Sequence, residues 1–313
     1  MRISNSTFTG GFLNEINTLQ NQQNKLQEEA SSGLAVSSPE DNPSAMAQAL
    51  TIQTSAAQTT QYQNNINQLQ NQATVAGSAI SSLQTLVSQV NDIATQASSG
   101  TTTPTQLSSY ATQVEDLIQQ AVQLANTQDA DGNYLFSGTA TSTKPFATTT
   151  DASGNVTGVT YQGNTSVAET PITQNMSVTA QVPGENTTGS GAAGLFADSR
   201  TGANLFSHMI ALQSDLSSGN TSAISSTDVP ALQKDDENVI NNISANGVMQ
   251  SALTAAGNLA SAQSTNYAEE MSNDTSANLA TVMTQLDQTQ TAYQAALESG
   301  MMVMQTSLVS LMA

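Results

Sequence analysis

The segment INQLQNQATVAGSAISSLQTLVSQVNDIATQA, residues 66–97, decides the fold because its apolar residues recur in alternating steps of three and four. The pattern is carried by Ile66, Leu69, Ala73, Ala76, Ile80, Leu83, Val87, Val90, Ala94 and Ala97. In an α-helix this spacing places the side chains on one stripe, which favours helix-on-helix packing with a left-handed supercoil. We therefore predict a long amphipathic helix whose apolar stripe belongs to the core of the same molecule.

Three further segments repeat the spacing, one of them near each end of the chain. The first runs through Phe12, Ile16, Leu19, Gln23, Leu26 and Ala30. A central one runs through Leu107, Val114, Leu117, Ala121 and Leu124. The last runs through Leu279, Met283, Leu286, Gln290, Tyr293, Leu297, Met304, Leu308 and Leu311. By pattern alone all of them could form one intramolecular bundle, but helices at both ends also predict that the two ends meet as a coiled coil.

Helix-ending and helix-starting signals agree with this arrangement. Asn42 followed by Pro43 predicts an N-cap and a first helical residue, and Thr103 to Gln106 predicts a capping box. Asp274 to Ser276 offer N-caps for the last helix. Between the helices, residues 134–181 are rich in Gly, Thr and Val with short alternation, which predicts a small β region. The fold class is thus mainly α with a small β insert.

Composition excludes several classes of function. Five basic residues oppose 24 acidic ones, giving a net charge of −19, and clustered cations for phosphate or anionic lipid are lacking. We therefore expect no nucleic-acid partner and no membrane partner. The chain has no cysteine, so disulfides and thiolate sites are impossible. The first residues lack a secretory apolar region, so any export is expected to use an uncleaved start.

Two candidate chemical sites are weak. Asp129, Asp131 and Asn133 have the spacing of a calcium loop, but that loop needs Gly at its sixth position and Glu at its twelfth, where Tyr134 and Ala140 stand. His208 is the single histidine, and no nucleophile or zinc motif accompanies it. We expect no metal, no cofactor and no enzymatic activity.

Four stretches resemble the flagellin superfamily, and within it the hook–filament junction proteins. The start Met1-Arg2-Ile3-Ser4, residues 32–45, residues 126–138 and the Tyr293-Gln294-Ala295-Ala296-Leu297 segment match patterns of that family. NTQDADGNYLFSG, residues 126–138, is the most discriminating of them. The family-signature loops contribute Pro39, Asp41, Pro43, Asp129, Asp131, Gly132, Tyr134, Leu135, Phe136 and Gly138. Leu34 to Val36 depart from the family, which often carries Arg there, and leave specific intersubunit salt bridges in doubt.

The resemblance implies an elongated rod of stacked domains whose terminal helices form an inner, assembling layer. Its expected parts are a terminal helical domain (1–42 and 272–313), a helical rod domain (43–138 and 200–271) and a β-rich outer insert (139–199). The assembly seam would comprise Phe12, Ile16, Leu19, Leu26, Leu279, Met283, Leu286, Tyr293, Leu297, Met304, Leu308 and Leu311.

The same resemblance implies a secreted part of the bacterial flagellum, exported by the flagellar type III route without a cleaved signal. Its implied partners are copies of itself in a ring, hook-associated protein 1, flagellin, and a cytosolic export chaperone at the C-terminal helix. One alternative is a flagellin filament subunit. The other is a cytosolic coiled-coil binding module, which should carry Glu and Lys beside its seam, where this chain has mostly Gln, Asn, Ser and Thr.

Overall fold

A computed structural model describes the backbone of residues 3–312 and the side chains of residues 10–302. Its helices are α1 (Ile3–Ser32), α2 (Pro43–Ala97), α3 (Pro104–Ala125), α4 (Leu205–Ser218), α5 (Thr221–Ala223), α6 (Val229–Thr275) and α7 (Leu279–Met312). A π-helical turn, Ile224–Asp228, leads from α5 into α6. The prediction of a mainly α fold with a small β insert is confirmed. None of the helices in the described part of the chain is long and apolar enough to cross a membrane.

The chain forms two compact units, one of residues 1–58 and 262–313 and the other of residues 59–261. The first contains α1, α7 and the neighbouring ends of α2 and α6. The second contains the β insert and the remaining helices. The division into three domains with boundaries at 42, 138, 199 and 271 stays a prediction.

The second unit is built on the stripe of α2. All ten residues of the 66–97 pattern are buried, at 4% exposure or less, which confirms the predicted intramolecular core. In the main cluster the six from Ile80 to Ala97 are joined by Val114, Ile118 and Ala121 of α3 and by Met209 and Leu212 of α4. A second cluster combines Ile66, Leu69 and Ala73 with Leu253 and Ala260 of α6. Ala at the smaller positions lets the helices approach closely.

Most of the predicted helix boundaries are confirmed by their caps. The Thr103 hydroxyl accepts a hydrogen bond from the Gln106 backbone N–H, and the Thr103 N–H donates to the Gln106 side chain at 2.9 Å. Asn42 accepts from the N–H of Ala45 at 3.2 Å, directly before Pro43 opens α2. The prediction for the last helix was wrong. Because α6 continues through Thr275, the side chain that caps α7 is Asn278, which accepts from the Thr281 N–H.

The β insert consists of three small sheets. Strands β1 (Phe146–Thr150) and β2 (Val156–Tyr161) form an antiparallel hairpin, as do β3 (Thr170–Thr173) and β4 (Met176–Val178). Strand β6 (Ala197–Asp198) lies between β5 (Glu185–Asn186), parallel to it, and β7 (Ala203–Asn204), antiparallel to it.

An aromatic cluster and a buried carboxylate hold the insert on the helices. Phe146 has ring centroids of Tyr161, Phe196 and Phe206 within 5.0–5.3 Å. Glu115 of α3, 6% exposed, accepts hydrogen bonds from the Val156 N–H at 3.1 Å and from the Gln213 side chain at 3.0 Å. One carboxylate therefore ties the start of β2 to α3 and α4.

We expect Leu83→Ala to destabilise the second unit. Leu83 is fully buried in the stripe, and truncating a core leucine costs about 2–5 kcal/mol because a cavity remains. The measurement is urea unfolding of the full chain. Leu259→Ala on α6 is the matched control, since Leu259 is 52% exposed and the change should stay within about 0.5 kcal/mol. Equal losses in the two variants would contradict the assignment of the core.

Candidate assembly surface

Helices α1 and α7 pack against each other in the first unit. Leu26 of α1 forms a buried cluster with Val282 and Leu286 of α7, and Ala30 and Ala277 pack against it. Phe12, Ile16 and Leu19 are half-buried. The N-terminal half of the predicted seam therefore lies on the side of α1 that is covered within the chain.

The covered side of α7, here called the inner face, is offset from the predicted seam. Its buried or half-buried residues follow steps of four and three: Val282, Leu286, Thr289, Tyr293, Ala296 and Gly300. Of the predicted seam residues, only Leu286 and Tyr293 belong to this face. Met304, Leu308 and Leu311 have side chains outside the described residues.

The other described seam residues of α7, Leu279, Met283 and Leu297, lie on an exposed side of the helix together with Met301, which the predicted seam did not include. This side, here called the outer stripe, carries two apolar pairs separated by Gln290. Leu279, Met283, Leu297 and Met301 are 51%, 49%, 40% and 54% exposed. Their separations of four and fourteen residues keep them on one side of the helix, next to the inner face. Helix α7 thus carries two neighbouring apolar strips, and α1 covers one of them.

Gly300 is part of this packing that the sequence pattern did not single out. A side chain at this position would collide with the ring of Phe12, so the absence of a Cβ lets that ring lie against α7. The available signal was an isolated glycine at a seam position of a helix, where glycine normally costs about 1 kcal/mol relative to alanine.

The first signature loop is held by Asp41. Its Oδ1 lies 2.7 Å from Lys25 Nζ of α1. Its Oδ2 accepts hydrogen bonds from the backbone N–H groups of Ser37 and Ser38 at 3.1 and 3.0 Å. The bond from Lys25 and those from the serine N–H groups hold the pKa of the Asp41 carboxyl well below its usual range. Asp41 therefore stays ionised and fixes this loop to α1.

The same loop also meets the break between α6 and α7. Leu34 forms an antiparallel β-bridge with Ser276, and the Ala35 N–H donates to the Thr275 carbonyl at 2.7 Å. The Ala277 N–H donates to the Gly33 carbonyl at 2.8 Å. The segment that follows α1 and the segment that precedes α7 are thereby joined by backbone hydrogen bonds. Pro39 stands in the turn between them and α2, which Pro43 begins.

The second signature loop is a tight turn followed by core residues. The Asp129 carboxylate accepts from the backbone N–H groups of Asp131 and Asn133, each at 2.9 Å, and Gly132 has a φ of +82°. Asp151 repeats this geometry with Ser153, Gly154 and Asn155 in the turn between β1 and β2. The described residues contain no group of three or more carboxylate or histidine side chains that could hold a metal.

The remaining signature residues position the insert. Tyr134 and Leu135 are half-buried, and Phe136 is buried with its ring 5.7 Å from that of Phe196. Gly138 has a φ of +67° and lies against the carbonyl of Asn164, where a Cβ would not fit. These residues belong to the second unit, whereas the seam residues belong to the first.

Residues 3–141 match the bacterial flagellin N-terminal helical region. The resemblance to the flagellin superfamily is confirmed. Two curated relatives, from Salmonella typhimurium and Escherichia coli, are each named flagellar hook-associated protein 3. The first is 25% identical over 146 residues, 47% of this chain and 46% of the relative. The second is 27% identical over 123 residues, 39% of each chain. The matched stretch thus spans less than half of either relative.

Solved structures support the same fold. A candidate flagellar hook-associated protein of Vibrio parahaemolyticus aligns with a TM-score of 0.63 at 20% identity. The alignment covers 75% of this chain and 100% of the Vibrio chain. The fold described above is therefore shared with the Vibrio chain.

We expect Gly300→Leu to loosen the packing of α1 on α7, because the new side chain displaces the ring of Phe12. Faster chymotrypsin cleavage within the first unit is the expected result, with the second unit left resistant. Gly11→Leu is the matched control, since Gly11 also lies within a helix but has no atoms within 4 Å of an added Cβ. If both variants are cleaved at the wild-type rate, the ring does not depend on this glycine.

Proposed function

We propose that this protein is a non-enzymatic structural subunit of the bacterial flagellum, an adaptor that forms a ring between the hook and the filament. Similarity to relatives named flagellar hook-associated protein 3 carries the proposal. The outer stripe supports it, because the terminal helix pair leaves apolar surface exposed after α1 is packed. Exposed apolar patches commonly mark protein–protein contacts.

Within this proposal the partners are copies of the same chain in the ring, hook-associated protein 1 on the hook side and flagellin on the filament side. The protein reaches the flagellum by the type III export route without a cleaved signal. A cytosolic chaperone covers the C-terminal helix before export, since an exposed apolar strip on α7 would otherwise favour aggregation.

A flagellin filament subunit is the second candidate, and one observation favours it: the matched helical region is that of flagellin itself. The two functions differ in abundance. An adaptor is present as roughly one ring per filament, whereas a filament subunit is present along its whole length. Quantitative mass spectrometry of sheared flagella, with flagellin as the reference, distinguishes them.

Deleting the gene should leave hooks without attached filaments, and flagellin should accumulate in the medium. The physical reason is that the two helical lattices lose the subunit that joins them. Electron microscopy of cells and immunoblots of culture medium provide the measurement, with plasmid-borne wild-type protein as the control. Full-length filaments on the deletion mutant would contradict the adaptor role.

We expect Leu297→Asp to block assembly while leaving the monomer folded and exported. In the monomer Leu297 is 40% exposed, so a carboxylate there remains hydrated. In a ring that covers the outer stripe, the same charge would be buried without a partner at a cost of several kcal/mol. The measurement combines secretion into the medium with loss of attached filaments.

Two controls place the effect on the outer stripe. Ala295→Asp lies on the same helix, about 200° around from Leu297 at 100° per residue, and should assemble normally. Leu286→Asp lies in the buried cluster with Leu26 and should disrupt the terminal helix pair itself. Normal filaments with Leu297→Asp would remove the outer stripe from the interface.

A further inference from the structure

Four titratable side chains lie between α4 and the start of α6, within the second unit. His208 and Asp215 are seven residues apart on α4, and Asp228 and Asp235 are seven apart on the π-helical turn and α6. A seven-residue separation keeps two side chains on the same side of a helix. The four groups meet as two pairs, His208 with Asp235 and Asp215 with Asp228.

The first pair is fully satisfied. His208 Nδ1 lies 2.8 Å from Asp235 Oδ2. Asp235 Oδ1 accepts a hydrogen bond from the Asn204 N–H, also at 2.8 Å. The carboxylate of Asp235 is 1% exposed and has a partner on each oxygen. Both carboxylate oxygens of Asp235 therefore have hydrogen-bond partners.

The second pair consists of two acids. Asp228 is 3% exposed, and the negative charge of Asp215 on α4 lies close enough to raise the pKa of its carboxyl. Asp228 Oδ2 is buried and has no hydrogen-bond donor among the described residues. Asp215 in turn accepts from the Asn220 side chain at 3.1 Å. Two ionised carboxylates are both acceptors, so neither can donate a hydrogen bond to the other unless one of them keeps a proton. When two carboxylates lie close together, the charge of one raises the pKa of the other.

Asp228 is the last residue of the π-helical turn, and its side chain is buried. The hydrogen bonds of this turn span one residue more than those of an α-helix, which rotates the following side chain, and such turns are frequent at functional sites. Leu216, Ile224 and Leu232, the apolar residues along these segments, are all buried. Asp228 is therefore held in a part of the core where water cannot stabilise its charge.

We infer that Asp215 and Asp228 share one proton and form a pH-sensitive clasp between α4 and the π-helical turn. The clasp is closed when the proton is bound and strained when both acids are ionised. This device is independent of the proposed function, and its failure would leave the adaptor role untouched.

The surroundings of the clasp raise the pKa of Asp228. Burial, followed by the negative charge of Asp215, raises the pKa of Asp228 to about 6, while His208 opposes the rise when it is protonated. Asp235 is paired with His208 and offsets that charge. Helix α5 carries no titratable residue.

The sign of the pH dependence follows from proton binding. An aspartate in the unfolded chain has a pKa near 4, so between about pH 4 and pH 6 the folded chain keeps a proton that the unfolded chain has lost. The contribution of the clasp to stability is fully present below pH 4 and is lost as the pH rises through 6. A difference of about two pKa units corresponds to roughly a hundredfold change in the folding equilibrium constant.

The test compares urea unfolding of the full chain from pH 5 to pH 8 for the wild type and Asp228→Asn. The amide supplies a permanent donor to Asp215, so the variant should be up to about a hundredfold more stable than the wild type at pH 8. That advantage should shrink towards pH 5. Asp116→Asn on exposed α3 surface is the matched control and should follow the wild-type profile. A constant difference between wild type and Asp228→Asn across the range would overturn the proposal.

A direct measurement keeps the proposal falsifiable if Asp228→Asn folds poorly. In carboxyl ¹³C NMR of the labelled wild type, Asp228 should titrate about two pH units above an exposed aspartate, and Asp215→Asn should lower that midpoint. Titration of Asp228 near pH 4 in the wild type would refute the shared proton. Stabilisation by sodium or calcium at constant ionic strength, with no elevated midpoint, would assign the gap to a cation and also refute it.

Discussion

Burial of one apolar stripe on α2 is the constraint on which the rest of the structure depends. The stripe from Ile66 to Ala97 is buried along its whole length, and it takes part in both core clusters of the second unit. With 4% aromatic residues in the chain, this core is made mostly of Ala, Leu, Ile and Val. The few large rings are concentrated where the insert joins the helices, around Phe146. Slim helix packing and one local aromatic cluster thus replace a single thick core.

In the terminal helices, helix-on-helix packing covers only part of the apolar surface of α7. A helix can turn only one side toward a single neighbour, and α7 turns its inner face, with Leu286, toward α1. The outer stripe, with Leu297, remains exposed in the isolated chain. A subunit that folds alone and then packs among copies needs apolar surface for both steps. One helix can supply both if its apolar surface is wider than a single neighbouring helix can cover. Under the proposed function, folding and association would use different residues of one helix.

Most polar groups in the interior of the described chain have hydrogen-bond partners. Glu115 has donors from β2 and α4, and Asn186 accepts or donates to four surrounding residues of its loop. Asn238 donates to the carbonyls of Gly194 and Leu195 at 2.9 and 2.8 Å. Among the described residues, three buried carboxylate oxygens lack a hydrogen-bond partner, on Asp228, Asp236 and Asp274. Of these three side chains only Asp228 is itself buried, and an unsatisfied buried polar group costs about 1–3 kcal/mol.

The sequence alone determined the long helices, the caps of α2 and α3 and the core stripe of α2, because these follow from local spacing and from side chains that hydrogen-bond within four residues. It also indicated the resemblance to the flagellin superfamily, through the segment from Asn126 to Gly138. Tertiary structure alone decided which strip of α7 faces α1, because adjacent heptad stripes differ by one position and only the partner selects between them. It decided the role of Gly300, which depends on the ring of Phe12 at the other end of the sequence. It also decided the burial of Asp228, since a π-helical turn adds a residue to one turn and so shifts every later side chain around the helix.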